Sequence, residues 1–409
     1  MFDLNTFINQ HVIHRPTSMF LPDIEAQDGA LSDAIRGKSL LVIGGAGSIG
    51  SSFIRAVLPY EPAELYVVDT NENALTELTR SLRSTEIYMP PVYKTYPMDY
   101  ASPVFCKMFR RHRREGDTHG FEIVANFSAH KHVRSEKDIY SIEALLRNNV
   151  IHAMELLELM EQYPPETYFC VSTDKAANPV NIMGSSKRIM EDLIFSYSDS
   201  FPVKTARFAN VAFSQGSLPD GFLHRIEKRQ PLTAPADVER YFVSPEESGQ
   251  ICMLAAILGK NREIFFPKLD PSSMMGFDEI AMNLLVAHGL RPVECDSEDE
   301  AIAWGGRLRS HDEDDPYPVY FSPSDTSGEK SFEEFYTESE TVDLKRYQSL
   351  GVITDKEKPE RKKVEEVVNR LSDAFEDENT TKETIVSIIA DYLPEFKHIE
   401  TGKSLDDKM

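Results

Sequence analysis

The sequence has few cysteines, and none of them are grouped as a metal site or a disulfide framework requires. Four cysteines are scattered over 409 residues, without any CxxC spacing, at Cys106, Cys170, Cys252 and Cys295. This pattern argues against a zinc site and fits a reducing compartment. We therefore expect no metal in the functional site and a cytoplasmic location.

Long apolar runs are also missing. No run approaches the roughly 20 residues that a membrane-spanning helix needs. The N-terminus lacks a basic region followed by an apolar core. We therefore expect neither a membrane anchor nor a signal peptide.

Basic residues are in the minority. Lysine and arginine total 44 against 67 aspartates and glutamates, which gives a formal net charge of −23. A surface of this sign repels nucleic acid and anionic membranes, so neither is expected as a partner. An anionic substrate would have to be bound by local donors. The hydrophobic content of 41 % supports a real core, and the length allows one large domain with a lobe, or two domains.

A strand followed at once by spaced glycines predicts a dinucleotide site. Residues 39–50 read SLLVIGGAGSIG, with Gly44, Gly47 and Gly50 at G-x-x-G-x-x-G spacing. Such glycines permit a tight turn, close approach of a pyrophosphate and close helix–strand packing, with the phosphates at the helix N-terminus. Ser48 and Ile49 lie in the same turn and are expected to contact the cofactor.

A second predicted strand ends in Asp69, close to the offset expected for a carboxylate that binds the adenosine ribose. An acid at this place accepts hydrogen bonds from a 2′-hydroxyl and repels a 2′-phosphate. NAD is therefore favoured over NADP. Further apolar strands alternate with helical patterns and predict a doubly wound parallel α/β fold; they fall at 92–98, 121–128, 168–171, 203–208 and 264–266.

The densest group of reactive side chains follows the strand at 168–171. Thr173, Asp174 and Lys175 come where this strand should end, and Lys187 opens the next helical pattern. Ligands of open α/β sheets bind at the carboxyl ends of the strands. One crossover thus presents a hydroxyl, a carboxylic acid and two amines to a ligand.

The pattern S-T-D-K-A-x-x-P-x-N-x-M-G-x-x-K over residues 172–187 resembles the signature of the bacterial nucleotide-sugar 4,6-dehydratases. These enzymes belong to the extended short-chain dehydrogenase/reductase superfamily and serve surface glycan synthesis. The resemblance implies a Rossmann domain with bound NAD and a smaller lobe for a nucleotide sugar. We expect an N-terminal arm at 1–37, the NAD-binding domain at 38–210 with later strands returning to it, the substrate-binding lobe at 211–340 and a helical tail at 341–409.

The resemblance also implies roles in catalysis. Asp174 would protonate the leaving C6 oxygen of the sugar, and Lys175 would remove the C5 proton. An adjacent aspartate and lysine are usually both ionised, so these roles require bound substrate to push both groups toward their neutral forms. Lys187 would hold the nicotinamide ribose. Met183 stands where the superfamily's Y-x-x-x-K motif has a tyrosine; Thr173 would orient the C4 hydroxyl, with water or a lysine as the proton acceptor.

Further contacts are implied by matching stretches. Asp99 would meet the adenine, and Ser128 and Ala129 would lie near the nicotinamide. The side chains expected at the substrate are Lys131, Asn210, Ser217, Arg240 and Glu329. His130 and His132 flank Lys131, but no third ligand completes a metal site, and the acidic residues at 312–315 are interpreted as a solvated loop. Glu329 and Glu333 fall in a stretch similar to the family's G-E-K-x-x-E element at the nucleotide end.

The leading hypothesis is 4,6-dehydration of a UDP-linked N-acetylhexosamine, with UDP-N-acetylglucosamine as the first candidate and a GDP-linked sugar as another. A C4- or C5-epimerase shares the fold, the cofactor and the first oxidation, but needs no acid at C6. A catalytically silent NAD-binding scaffold is the third possibility, and Met183 is its best support. Superfamily members pair through the helices at 139–160 and after Lys187, which implies a homo-oligomer.

Overall fold

The computed structural model of the protein describes residues 2–112, 120–132, 136–305, 316–324 and 333–399. Its strands are β1 (Ser39–Ile43), β2 (Glu64–Asp69), β3 (Val92–Pro97), β4 (Ile123–Asn126), β5 (Thr167–Val171), β6 (Val203–Ala206), β7 (Asn210–Val211), β8 (Leu232–Pro235), β9 (Glu239–Arg240), β10 (Phe242–Val243), β11 (Ile264–Pro267), β12 (Met275–Gly276), β13 (Arg291–Glu294), β14 (Pro316–Ser322), β15 (Thr341–Asp343) and β16 (Leu350–Thr354). Its α-helices are α1 (Leu4–His11), α2 (Leu21–Ala26), α3 (Asp28–Ile35), α4 (Ser48–Val57), α5 (Glu72–Arg83), α6 (Pro103–Arg111), α7 (Ile139–Leu146), α8 (His152–Gln162), α9 (Ile182–Ser196), α10 (Leu218–Lys228), α11 (Pro245–Leu258), α12 (Phe277–Ala287), α13 (Glu298–Gly305), α14 (Arg361–Phe375) and α15 (Lys382–Tyr392).

The main sheet has nine strands in the order β15-β16-β11-β6-β5-β4-β1-β2-β3. The strands from β3 to β11 pair in parallel, whereas β16 is antiparallel to both β11 and β15. The order 3-2-1-4-5-6 at its centre is that of the doubly wound dinucleotide-binding fold. The predicted fold class is therefore confirmed.

Strand β1 shows why the central strands are apolar throughout. Leu40 and Val42 pack into one hydrophobic cluster, with side chains of α4, α5 and α11. Leu41 and Ile43 point the other way, into a cluster with α6, α8 and α9. Because helices cover both faces of the sheet, neither face can be polar.

A smaller lobe surrounds the parallel three-stranded sheet β13-β14-β8. Its core joins side chains of α10, α12 and β14, and the N-terminal helix α1 contributes Phe7 and Ile8 to the same core. The predicted arm therefore packs on the lobe, while Leu31 and Ile35 of α3 pack on the main domain.

Beyond residue 340 the chain first returns to the main sheet. Strands β15 and β16 form its edge, so the stretch predicted as a helical tail begins with strands. The helices α14 and α15 then make a hairpin whose apolar side chains cover α7 and the start of α9. This is the surface that the resemblance assigns to a partner subunit; here the chain's own hairpin occupies it.

One fully buried arginine ties three segments of the fold together. Arg207, just after β6, is 0 % exposed and forms bidentate pairs with Glu191 of α9 and with Glu340. It also donates to the Phe335 carbonyl at 3.0 Å. Burial alone would raise the pKa of Glu340, but the charge and hydrogen bonds of Arg207, helped by Lys356, lower it to about 2.

We predict that Arg207→Met destabilises the protein by about 3–5 kcal/mol at neutral pH, because two buried carboxylates lose their partner. The Glu340 pKa lies below its unfolded value near ~4.3, so its contribution to stability is complete above that pH and is lost as the pH falls toward 2. The cost of the substitution should therefore shrink in acid. Urea unfolding at neutral and acidic pH measures it.

Arg36→Met is the control, because the Arg36–Glu61 pair is 61 % and 46 % exposed. Exposed pairs contribute less than about 1 kcal/mol. Equal costs for the two substitutions would show that the buried network does not stabilise the fold as described.

Candidate functional site

The carboxyl ends of the central strands open into a cavity of about 950 Å³ between the main domain and the lobe. It is lined by the glycine turn after β1, the segment after β5, the start of α9, and residues from β7 to α10. The sequence-predicted site residues on its wall are Gly44, Gly47, Ser48, Ile49, Gly50, Ala129, Lys131, Thr173, Asp174, Lys175, Met183, Lys187, Asn210, Ser217 and Arg240. One cavity therefore connects the predicted cofactor turn with the predicted catalytic segment.

The glycine turn has no room for side chains at two positions. Gly44 has φ +69°, and a Cβ there would lie 2.6 Å from the backbone nitrogen of Ser128. A Cβ on Gly50 would lie 2.3 Å from the Gly44 carbonyl oxygen. The turn thus closes tightly onto the N-terminus of α4, where free backbone N–H groups favour an anion.

Three predicted cofactor residues, Asp69, Asp99 and Ser128, do not lie on the cavity wall. Asp69 accepts hydrogen bonds from the backbone N–H groups of Ala46 and Asn71, at 3.0 and 2.9 Å. Asp99 accepts from the Ala101 N–H, and Ser128 donates to Asn148 Oδ1 at 3.1 Å. Asp69 therefore stabilises the glycine turn through its hydrogen bond from the Ala46 N–H.

The predicted catalytic segment forms a short chain of polar contacts. Thr173 Oγ1 donates to Asp174 Oδ1 at 2.7 Å, and Lys175 Nζ lies 3.1 Å from the same oxygen. The side chain of Asp174 is only 4 % exposed, whereas that of Lys175 is 27 % exposed. Burial disfavours the ammonium form of Lys175, but the charges of Asp174 and Glu333 outweigh it and raise its pKa. These contacts favour the ammonium form of Lys175, whereas the role that the resemblance implies for Lys175 requires the neutral amine.

Glu333 is the functional candidate that sequence reasoning gave no chemical role. It lies on the cavity wall, accepts from Asn210 Nδ2 at 2.8 Å and from the Tyr241 N–H at 2.9 Å, and interacts with the charges of Asp174 and Lys175. The similarity to G-E-K-x-x-E marked its position, but nothing local in the sequence indicates that it meets residues far earlier in the chain.

Helix α9 places Lys187 and Met183 on the same wall. Asn181 caps the helix by accepting from the Gly184 N–H at 2.7 Å. Lys187 Nζ donates to the Val171 carbonyl at 3.1 Å, and burial lowers its pKa. The Met183 backbone N–H donates to Glu136 Oε1 at 2.9 Å, and the residue is 3 % exposed.

The segment after β4 is hydrogen-bonded to an irregular turn between two helices. Residues Arg147–Ile151 form a π-helical turn between α7 and α8, and this turn includes Asn149. Asn149 accepts from the His130 N–H at 2.9 Å and donates to its carbonyl at 3.0 Å. Lys131 and His132 thereby line the cavity, and burial lowers the pKa of Lys131. Irregular turns of this kind often occur at functional sites.

Only some of the residues that we expect at the substrate lie within the described part of the chain. Arg240 is 6 % exposed and faces the cavity, where Asn210 and Ser217 also lie. Glu329, the stretch around it and the acidic run at 312–315 lie outside the described residues.

Among the described residues, no group of three His, Cys, Asp or Glu side chains is placed to hold a metal ion. In the same ranges, every helix is too short or too polar to cross a bilayer.

The fold is a doubly wound α/β fold, and its cavity lies at the carboxyl ends of the central strands, where such folds bind ligands. The chain belongs to the polysaccharide biosynthesis protein family, whose model matches residues 40–308. It is 30 % identical over 286 residues to the probable polysaccharide biosynthesis protein EpsC of Bacillus subtilis. That match covers 68 % of this chain but 45 % of EpsC, so the chain spans about half the length of this relative.

Two further similarities come from nucleotide-sugar enzymes. UDP-glucose 4-epimerase of Rickettsia prowazekii is 26 % identical over 249 residues, which are 58 % of this chain and 68 % of the epimerase. The structure of a DesIV double mutant, a dTDP-glucose 4,6-dehydratase from Streptomyces venezuelae with NAD bound, superposes with a TM-score of 0.52 at 18 % identity. It covers 72 % of this chain and 87 % of DesIV, and at this identity it supports the fold alone.

We predict that Gly50→Ala weakens NAD binding at least about tenfold, a loss of about 1.4 kcal/mol. The new Cβ would collide with the Gly44 carbonyl and open the turn. Isothermal titration with NAD measures the effect.

Gly29→Ala is the matched control, since a Cβ at Gly29 meets nothing within 4 Å. It should leave NAD affinity unchanged and, through the better helix propensity of alanine, stabilise α3 by up to about 1 kcal/mol. Wild-type NAD affinity in Gly50→Ala would contradict a dinucleotide site at this turn.

Proposed function

We propose that this protein binds NAD and catalyses the 4,6-dehydration of a nucleotide-linked N-acetylhexosamine, with UDP-N-acetylglucosamine as the first candidate substrate. The observation that carries this proposal is the Thr173–Asp174–Lys175 cluster, which shares one cavity with the glycine turn. The product, a 4-keto-6-deoxy sugar, would serve surface glycan synthesis in the cytoplasm, in line with the family.

The residues present fit a dinucleotide. At Gly44 and Gly50 a Cβ would collide with neighbouring backbone atoms, so only glycine lets the turn close this tightly, and α4 offers its N-terminus to a pyrophosphate. Asp69 would favour NAD over NADP, and Lys187, on the cavity wall, would hold the nicotinamide ribose. A bound NAD would supply the hydride chemistry, which is acceptance from C4 and return to C6.

The contact between Thr173 and Asp174 supplies a route for the first proton. As C4 is oxidised, its hydroxyl proton passes to Thr173 Oγ1, while the Thr173 proton passes to Asp174 Oδ1 over the 2.7 Å hydrogen bond. Asp174 enters the cycle as a carboxylate and becomes the neutral acid that the next step needs. Thus Met183, which has no exchangeable proton, is not required for this transfer.

The elimination of water then uses both Lys175 and Asp174. Lys175, as a neutral amine, removes the C5 proton, which the C4 ketone has made acidic. Asp174 gives its proton to the C6 oxygen, which leaves as water. After hydride returns to C6, Lys175 returns a proton to C5. Thr173 thus keeps the C4 hydroxyl proton, its own former proton leaves in the water, and Asp174 regains its starting form. A well-placed acid or base contributes about 10²–10⁴ in rate.

Binding of the nucleotide diphosphate requires local cations, because the protein carries a net charge of −23. Arg240 and Lys131 line the cavity, and a guanidinium fork suits phosphate oxygens. Asn210, Ser217 and Glu329 are the further candidates for the sugar nucleotide. UDP-linked and GDP-linked sugars both remain candidate substrates. The predicted homo-oligomer would need a surface other than the one covered by α14 and α15.

Epimerisation is the second candidate function, favoured by the similarity to UDP-glucose 4-epimerase. An epimerase needs no acid beside C6, whereas Asp174 is buried next to a hydroxyl and an amine. A silent NAD-binding scaffold would bind the cofactor without turnover. The mass of the product separates the three functions, because only dehydration removes one water.

We predict that the protein, loaded with NAD and given UDP-N-acetylglucosamine in heavy water, forms a product that is one water lighter and labelled at C5. Asp174→Asn should slow NADH formation by about 10²–10⁴ because the C4 proton loses its acceptor. Lys175→Ala should still form NADH but lose C5 labelling and dehydration. Absorbance of NADH and mass spectrometry measure the two steps separately.

Lys363→Ala is the control, since this lysine is 71 % exposed on α14, and it should behave as wild type. A product of unchanged mass would favour the epimerase, and cofactor binding without any turnover would favour the scaffold. C5 labelling at the wild-type rate in Lys175→Ala would remove Lys175 from its role.

A further inference from the structure

Glu333 is a carboxylate of the cavity wall that the proton transfers above leave unused. Its Oε1 accepts from Asn210 Nδ2 at 2.8 Å, and its Oε2 accepts from the Tyr241 backbone N–H at 2.9 Å. The Asn210 backbone N–H in turn donates to the Tyr241 carbonyl at 3.2 Å, beside the pairing of β7 with β10. The three residues therefore close a ring of hydrogen bonds that holds the side chain of Asn210 in one orientation.

This ring also decides which end of the Asn210 amide faces the carboxylate. An ionised carboxylate only accepts hydrogen bonds, so the NH₂ group of Asn210, and not its Oδ1, must lie against Glu333. Within the described ranges, Asn210 Oδ1 receives no hydrogen bond. Because Asn210 lies on the cavity wall, its Oδ1 is available to accept a hydrogen bond from a ligand.

The chemistry of a nucleotide sugar determines which of its parts such an acceptor can bind. Diphosphate oxygens are themselves acceptors and carry negative charge. Asn210 has one further N–H, but a carboxylate 2.8 Å behind its amide makes this part of the cavity unfavourable for an anion. A hexosamine, in contrast, offers donors, which are its ring hydroxyls and the N–H of its acetamido group. Asn210 therefore suits the sugar, whereas Arg240 and Lys131 suit the diphosphate.

We propose that Glu333 is a positioning residue that fixes the Asn210 amide, so that Asn210 Oδ1 accepts a hydrogen bond from a hydroxyl or amide N–H of the sugar. This inference deepens the proposed function and rests on it, since it requires a nucleotide-linked hexosamine in the cavity. It assigns Asn210 to the sugar and not to the diphosphate. Glu333 acts through Asn210, and its role involves no proton transfer.

Glu333→Gln tests this orientation with almost no change in the size of the side chain. The Tyr241 N–H requires an acceptor, so the new carbonyl oxygen would face Tyr241 and the new NH₂ group would face Asn210. The Asn210 amide would then have to reverse, with Oδ1 toward position 333 and its NH₂ group toward the cavity. The sugar would meet a donor where it needs an acceptor.

The experiment measures the binding of two probes, UDP and UDP-N-acetylglucosamine, to the full chain by isothermal titration. The protein is loaded with NADH, which cannot accept a hydride, so no turnover disturbs the titration. Alkaline pH keeps Glu333 ionised, because burial and the charge of Asp174 raise its pKa to about 7. Both probes carry the diphosphate, so the ratio of the affinity for UDP-N-acetylglucosamine to that for UDP isolates the contribution of the sugar.

We expect Glu333→Gln to lower this ratio by about tenfold or more, while the affinity for UDP changes by no more than about threefold. Combining Glu333→Gln with Asn210→Asp exchanges the amide and the carboxylate and should restore most of the ratio. The new amide would donate to the new carboxylate, whose second oxygen remains available to the sugar. Asn210→Asp alone should not preserve the ratio, because two carboxylates would face each other.

Glu334→Gln is the matched control: the neighbouring carboxylate accepts from Asn178 Nδ2 at 3.0 Å and is not on the cavity wall. It should keep both wild-type affinities. The proposal is overturned if Glu333→Gln leaves the ratio unchanged, or if it weakens both probes by the same factor, as a purely structural clamp would. The proposed function fails by a different result, which is an NAD-loaded wild type that forms no product one water lighter.

Discussion

The buried pairing of Arg207 with Glu191 and Glu340 is the interaction on which the rest of the structure depends. A guanidinium that is 0 % exposed would be prohibitively costly without full compensation. Here each carboxylate binds it through both oxygens. Removing any of the three partners would leave a buried charge, so β6, α9 and the segment at 335–340 are stable only in this mutual arrangement.

This network reaches the cavity from two sides. Glu191 also accepts from Ser172 Oγ at 2.6 Å, and Ser172 directly precedes Thr173 on the cavity wall. On the other side, Arg207 holds the Phe335 carbonyl, two residues after Glu333. The helix that carries Glu191 also carries Lys187. A structural ion pair thus fixes the relative positions of the groups to which we assign roles in catalysis and binding.

Much of this fold was predictable from the sequence, and the limits have a physical cause. The central strands are short apolar runs because helices cover both faces, and the glycine turn is specified within a few residues, so both leave local patterns. The Arg207 pairs join residues 16 and 133 positions apart, and the Glu333 contacts likewise join distant segments. Such pairings leave no periodic signal. The sequence predicts that later strands return to the NAD-binding domain, but for the same reason it does not identify β15 and β16, which lie in the stretch expected to be helical.

The hairpin explains how the position of Met183 tolerates a residue without a proton to exchange. Met183 packs in the same hydrophobic cluster as Leu371 and Ile389 of the hairpin. Beside it, Glu136 accepts from the Met183 N–H, and the Ile399 N–H donates to the Val180 carbonyl at 3.0 Å. An apolar side chain suits such surroundings, whereas a tyrosine hydroxyl would need a buried partner. Under the proposed reaction, Thr173 and Asp174 receive the C4 hydroxyl proton instead. The acid–base groups therefore lie in the segment after β5, whereas Met183 at the start of α9 contributes packing.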